Sequence, residues 1–317
     1  WAWLSAGETI ISIRKKSPVS HEFRVRMNSP AMVASSTPAA PGFWRRARAH
    51  RGFTIGGVLA LALLLSAALS YLWTPHPVYE IDMEARLLPP GARHWLGTDP
   101  FGRDVVSLLL VAARASILVG VIAVGIGLVF GAALGLLASA RRGWVEELIM
   151  RVADFGFAFP AILSAIMLTA VYGPGIVNAI IAIGIYGIPA FARITRAAAN
   201  AVWSRDYVQA ARTSGKGAWA ITWQHVLPNI TAVLIVQATI RFAIAILAEA
   251  ALSYLGLGTQ PPQPSWGRML AEAQTLMFDA PLLAVWPGLA IALSVLGLNL
   301  LGDGLRDVLD PRLQGSR

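Results

Sequence analysis

The chain has 317 residues, 56% of them hydrophobic and only 14% charged, against about 25% charged in an average soluble domain. Its mean hydropathy of +0.60 is more than a water-soluble fold can hide. Its 26 Lys and Arg outnumber 17 Asp and Glu, but the excess sits in particular loops, which reads as membrane topology rather than as the contiguous basic face of a nucleic-acid binder.

The chain opens on WAWLSAGETI, without a methionine. Residues 1 to 26 are read as upstream sequence with Met27 as the natural start. The Pro/Ala/Ser tract MNSPAMVASSTPAAPG (27–42) has little to bury and is expected to be disordered, giving a tail over 1–43. Six apolar segments then meet the roughly 20 helical residues that a bilayer core of about 30 Å demands. They cover about 53–73, 116–138, 149–171, 175–193, 231–253 and 284–302. The first is read as an uncleaved anchor: it is too long for a signal core and follows a long basic stretch. Residues 44–115 thus hold the anchor and an external segment, 116–313 hold spans two to six, and 314–317 are a tail. The expected fold class is all-α, a polytopic protein with six transmembrane helices embedded in lipid.

Arginine and lysine give the orientation. Nine precede the first span, three lie around 141–151, five in 193–229 and three after 302, 20 on one side. The other side holds Arg86, Arg93, Arg103, Arg114 and Arg268. The positive-inside rule puts both termini and the 193–229 segment in the cytoplasm.

In the external stretch WLGTDPFGRDVV, Thr98 or Asp99 is placed to cap a helix with Pro100 in its first turn. Thr98, Asp99, Gly102, Arg103 and Asp104 mark either a helix start at the membrane surface or a docking or gating element. In the second span, Gly127, Gly131 and Gly135 form a doubled small-xxx-small pattern for close helix packing. Pro160 and Pro189 predict kinks in spans three and four. Two ionisable residues fall inside the fifth span, Arg241 and Glu249. On a helix they are too far apart to pair with each other, so each needs another partner, an interface to snorkel to, or a role on a substrate path. Asp154 is read as a helix-end charge. With no cysteine there is no disulfide or thiolate metal site, and no metal ligand set is assigned.

Between spans four and five lies YVQAARTSGKGAWAITWQHVLPN (207–229). Its polar residues between two apolar spans predict a hairpin. One helix runs from about Arg205 to Ser214, Gly215-Lys216-Gly217 breaks it, and a second runs from about Ala218 to His225. Pro228 then opens span five. Trp219, Trp223 and Val226, at i, i+4 and i+7, are expected to share one face, as an interfacial aromatic belt or as a knob for a cytoplasmic partner.

This stretch resembles the EAA loop of ABC importer permeases. Gln209-Ala210-Ala211, Gly215, His225 and Leu227-Pro228 stand at the family's spacing, with Gln209 where the family usually has Glu. Further, GTDPFGRDV (97–105), ILAEAALSYLGLGTQPPQPSWGRML (246–270) and NLLGDGLRDVLDPRL (299–313) resemble the C-type permease subunit of dipeptide, oligopeptide and nickel importers. The resemblance covers about residues 44 to 313 and makes 116–313 a permease core. It implies a bacterial cytoplasmic-membrane protein that is not an enzyme and forms half of a translocation pathway. It further implies a homologous second permease, two ATP-binding cassette subunits or domains, and an extracytoplasmic substrate-binding protein. The coupling residues would be Gln209, Ala210, Ala211, Gly215, Trp219, Trp223, His225, Leu227 and Pro228. ATP and Mg would sit on the partners, because the chain has no G-x-x-x-x-G-K-[ST] loop, and no cofactor is expected on this chain. Peptides are the leading cargo, with nickel or another small solute as the alternative. A secondary transporter or a membrane scaffold are further readings, the first weakened because no inverted repeat shows in the apolar pattern.

Overall fold

The structure is a computed structural model that describes residues 43–309. The expected disorder of 27–42, the start at Met27 and the C-terminal tail lie outside the described residues. Among those described, every regular element is helical. They are α1 (Phe43–Ala49), α2 (Arg51–Leu72), α3 (Val105–Arg141), α4 (Trp144–Ala158), α5 (Ala161–Tyr172), α6 (Ile176–Trp203), α7 (Asp206–Thr213), α8 (Ala218–Ile221), α9 (Leu227–Tyr254), α10 (Trp266–Ala273) and α11 (Leu282–Leu309). Four of them, α2, α3, α6 and α11, are long and apolar enough to cross a bilayer, as is α8 with α9 taken as one rod. No more than a third of each apolar stretch is buried. The outward faces carry Val58, Leu61, Leu65, Val129 and Phe130, which suits lipid rather than water.

Two expectations need correction. The helix that carries the second apolar segment begins well before residue 116, and neither Thr98 nor Asp99 caps it. Helix α3 starts at Val105, and Asp104 is its N-cap, accepting from the Ser107 N–H. Thr98 and Asp99 are instead consumed by the preceding loop. The Thr98 hydroxyl donates to the Ala85 carbonyl at 2.5 Å and accepts from the Leu88 N–H at 2.8 Å. Asp99 Oδ1 accepts from the N–H groups of Phe101 and Arg103, both at 2.8 Å. Short polar side chains that close local turns are not free to cap a helix further on.

The third span is also not one kinked helix. Helices α4 and α5 meet at 82°, a break rather than a kink. Phe159 is extended (φ −100°, ψ 132°), as the residue before Pro160 must be. Pro189, by contrast, lies inside the unbroken α6.

Packing shows where the broken pair leads the chain. A Cβ on Gly127 would touch Gly187, one on Gly131 would meet Ile188 and Phe191, and one on Gly135 would meet Ala192 and Thr195. Residue numbers rise together, so α3 and α6 are parallel and both start on the same side. The chain must return between them through residues 142–175, so α4–α5 runs back from the end of α3 to the start of α6, and counting the bent pair as one span gives six. Helix α11 lies antiparallel to α2, Gly304 beside Phe53 and Gly56 beside Leu301. The Arg114 side chain near the start of α3 donates to Ser70 near the end of α2. The start of α2, the end of α11 and the α7–α8 hairpin therefore share one face. The segments 73–104 and 255–281 share the other.

On that second face the loops pack on the start of α3. The Trp266 indole donates to the Leu109 carbonyl at 3.2 Å, and Val78, Val105, Leu108 and Met269 join the same core.

Candidate coupling hairpin

The break between α7 and α8 is a Schellman turn. The Gly215 N–H donates to the Arg212 carbonyl and the Lys216 N–H to the Ala211 carbonyl, at 3.1 and 3.2 Å, with Gly215 left-handed at φ +83°. Nothing lies within 4 Å of a Cβ placed on Gly215. Glycine is needed there for its backbone and not for space.

The second helix departs from expectation. It does not end at His225 but runs into α9 through a π-helical turn, Thr222–Val226. The Leu227 N–H donates to the Thr222 carbonyl, five residues back. Pro228 has no N–H to give to the Gln224 carbonyl, and the one-residue slip of the π turn absorbs that loss. The slip also separates the three residues expected on one face. Trp219 and Trp223 are 50% and 63% exposed, while Val226 is fully buried with Ile221 and Thr222.

The hairpin therefore has two sides. Inward, Val208, Ile221 and Val226 pack with Leu136 of α3, Ala199 and Trp203 of α6, and Ile230 and Leu234 of α9. It is seated on the ends of three spans. Outward it shows Tyr207, Trp219 and Trp223, with Gln209, Ala210, Gly215 and Pro228 also exposed and Ala211, His225 and Leu227 half-buried. Lys216 Nζ donates to Gln224 Oε1 across the break at 2.9 Å, and the Tyr207 ring meets His225 edge-on. The Gln209 amide donates to the Trp203 carbonyl at 2.8 Å, tying α7 to the end of α6. A carboxylate could not donate that bond, so glutamine here makes an internal clamp in place of an acceptor. Salt bridges Arg196–Glu146 and Arg193–Asp154 fasten α4 to α6 beside the hairpin. Asp154 is thus a paired residue inside α4 rather than a helix-end charge.

The remaining marked residues fall elsewhere. Gly127, Gly131 and Gly135 form the α3–α6 seam described above. Arg103 bridges Asp99 and Glu272 at 2.6 and 3.3 Å, joining the segment 73–104 to α10, while Gly102 (φ +75°) turns the loop against the Asp82 carbonyl. Glu249 is fully buried at the far end of α9. It accepts from Ser253 and Thr259 at 2.7 and 3.2 Å, so it organises the loop after α9. Arg241, eight residues earlier, has a buried Nε without a hydrogen-bond partner. Val208, Trp203 and the π turn escaped the sequence reading, although the Pro at 228 directly after a helical pattern was a usable signal for the last.

Comparison with known proteins agrees with this architecture. Residues 127–315 match the family described as binding-protein-dependent transport system inner membrane component, and residues 42–90 match the N-terminal TM domain of oligopeptide transport permease C. The chain is 44% identical over 298 residues to the di/tripeptide transport system permease protein DppC of Pseudomonas aeruginosa, covering 91% of this chain and 98% of the relative. It is 41% identical to the glutathione transport system permease protein GsiD of Pectobacterium atrosepticum, covering 86% and 91%. Among solved structures, a chain of the inward-facing MetNI methionine ABC transporter superposes with a TM-score of 0.54 at 18% identity, over 64% of this chain and 97% of that one. With the fold, the hairpin and these matches in agreement, the chain belongs to the binding-protein-dependent transport system inner membrane components, as a multi-pass ABC importer permease of the oligopeptide C type.

Proposed function

We propose that this chain forms half of the membrane pathway of an ATP-driven importer that takes di- or oligopeptides from an extracytoplasmic binding protein. The observation that carries the reading is the hairpin. A rigid element seated on three spans, with tryptophans turned outward, is built to receive force from a partner and contains no catalytic set of its own. The names of the relatives support peptides as cargo. A homologous second permease would complete the pathway and supply surroundings for Arg241, since an uncompensated arginine at mid-membrane costs about 2.5–3.5 kcal/mol. Two ATPase subunits or domains would hold ATP and Mg below the hairpin, in the bacterial cytoplasm.

The test is co-expression with the second permease and the ATPase pair, then capture of the complex. Trp219→Ala with Trp223→Ala should weaken ATPase retention at least about tenfold, since an aromatic anchor at an interface contributes about 2 kcal/mol or more. Insertion should be unchanged because both side chains are exposed. Undiminished ATPase retention would remove the hairpin from the interface, and failure of the wild-type complex to take up a dipeptide would remove the cargo assignment.

Orientation is checked separately. Reporter fusions after residues 80 and 265 should report outside, and one after residue 216 inside. A cytoplasmic signal at 265 overturns the orientation, though not the face that the hairpin shares with the start of α2 and the end of α11.

A further inference from the structure

On the face opposite the hairpin, three side chains from separate stretches converge. His76 follows α2, His94 lies in the loop before α3, and Asp104 caps α3. One ligand atom from each lies within 4.8 Å of the others. Asp104 Oδ1 is 3.0 Å from His94 Nδ1 and 3.6 Å from His76 Nδ1. Two atoms of a tetrahedral zinc shell are about 3.3 Å apart, given metal bonds of about 2.0–2.1 Å, so these separations bracket the value a shared ion would impose.

The surroundings favour a ligand over a simple hydrogen-bonded cluster. Asp104 Oδ2 is already used, accepting from the Ser107 N–H at 2.8 Å and the Ser107 hydroxyl at 2.9 Å. This fixes the carboxylate and leaves Oδ1 aimed at the two imidazoles. His76 Nδ1 is buried and has no hydrogen-bond partner, although the His76 backbone N–H is held by Ser107 Oγ at 3.0 Å. The rings lie 4.4 Å apart at a 34° tilt, and Nδ1 of each faces the same carboxylate oxygen, Asp104 Oδ1. The Asp104 side chain is 1% exposed and that of His76 is 30%, a closed floor with an open side for ion entry and a water ligand.

We propose that His76, His94 and Asp104 bind one divalent transition-metal ion, Zn²⁺ by ligand type, as a clip that ties the segment after α2 to the start of α3. Two imidazoles and one carboxylate suit zinc and disfavour Mg²⁺ and Ca²⁺, which take oxygen shells. The ion is structural and not cargo, and the inference does not rest on the transport reading. It revises the expectation that this chain holds no metal, which overlooked the cluster because its ligands are spread over residues 76 to 104.

The experiment uses the full chain in detergent, with any polyhistidine tag removed, stripped with chelator and dialysed against Zn²⁺ alone. Bound metal is measured by mass spectrometry. The wild type should hold one Zn²⁺ per chain, and Co²⁺ in its place should give visible d–d absorption. His76→Gln with His94→Gln should abolish both signals. Asp104→Asn keeps a capping side chain and should still lose the ion, which covers the case of a misfolded histidine variant. Ser107→Ala, acting through Asp104, should weaken binding about tenfold. Absence of stoichiometric Zn²⁺ in the wild type, or equal Zn²⁺ in wild type and Asp104→Asn, overturns the proposal.

Discussion

Gly131→Leu should abolish the folded, detergent-extractable form of this chain. A Cβ at 131 would stand 2.5 Å from the Phe191 Cβ, 2.6 Å from the Ile188 carbonyl oxygen and 3.1 Å from the Ala192 nitrogen. Two of the three are backbone atoms of α6 and cannot rotate away. Overpacking a deformable core costs about 1–3 kcal/mol. Here whole helices must separate, which also strips the contacts at Gly127 and Gly135, so the cost is larger. Gly125→Leu is the control, because nothing lies within 4 Å of a Cβ there on the same helix. The measurement is the monodisperse fraction in size-exclusion chromatography. If Gly131→Leu and Gly125→Leu behave alike, the α3–α6 seam is not a close backbone contact.

Gly215→Val should uncouple ATP hydrolysis from uptake while leaving the complex assembled. At φ +83° a residue with a Cβ pays about 1–2 kcal/mol, and a β-branched one more. The buried Val208, Ile221 and Val226 each contribute about 1.5–3 kcal/mol, so the hairpin stays seated and only the angle between its helices changes. Gly215→Asn separates strain from bulk: asparagine tolerates the left-handed region, and the surrounding space is open. Paired ATPase and peptide-uptake assays on reconstituted complexes should show normal hydrolysis with uptake lost in the valine variant and retained in the asparagine variant. Normal coupling in Gly215→Val would reduce the hairpin to a connection.

The span count, the glycine seam and the hairpin break could be read from sequence because each rests on local chemistry. Apolar length reports burial in lipid, glycines four apart report a groove, and Gly215 reports a left-handed turn. What escaped depends on chains meeting at a distance or on backbone register. The 82° break at Pro160 reads as a kink until the fold shows where α5 goes. The π turn moves Val226 away from Trp219 and Trp223, and ideal helical spacing cannot anticipate a slipped residue. Thr98 and Asp99 look like caps because their chemistry is that of caps. Only the loop contacts to Ala85, Leu88 and Arg103 show that their bonding capacity is already taken.

Residues 218–254 form a continuous 37-residue rod, about 55 Å long at 1.5 Å per residue. The bilayer core it crosses is only about 30 Å thick. The geometry is that of a seesaw: a tilt of about 10° about the midpoint would displace each end by about 5 Å in opposite directions. One end carries the exposed tryptophans. The other carries Glu249, whose bonds to Ser253 and Thr259 fasten the following loop to it. If the hairpin receives force as proposed, a stroke at one membrane face would be returned at the other with its direction reversed.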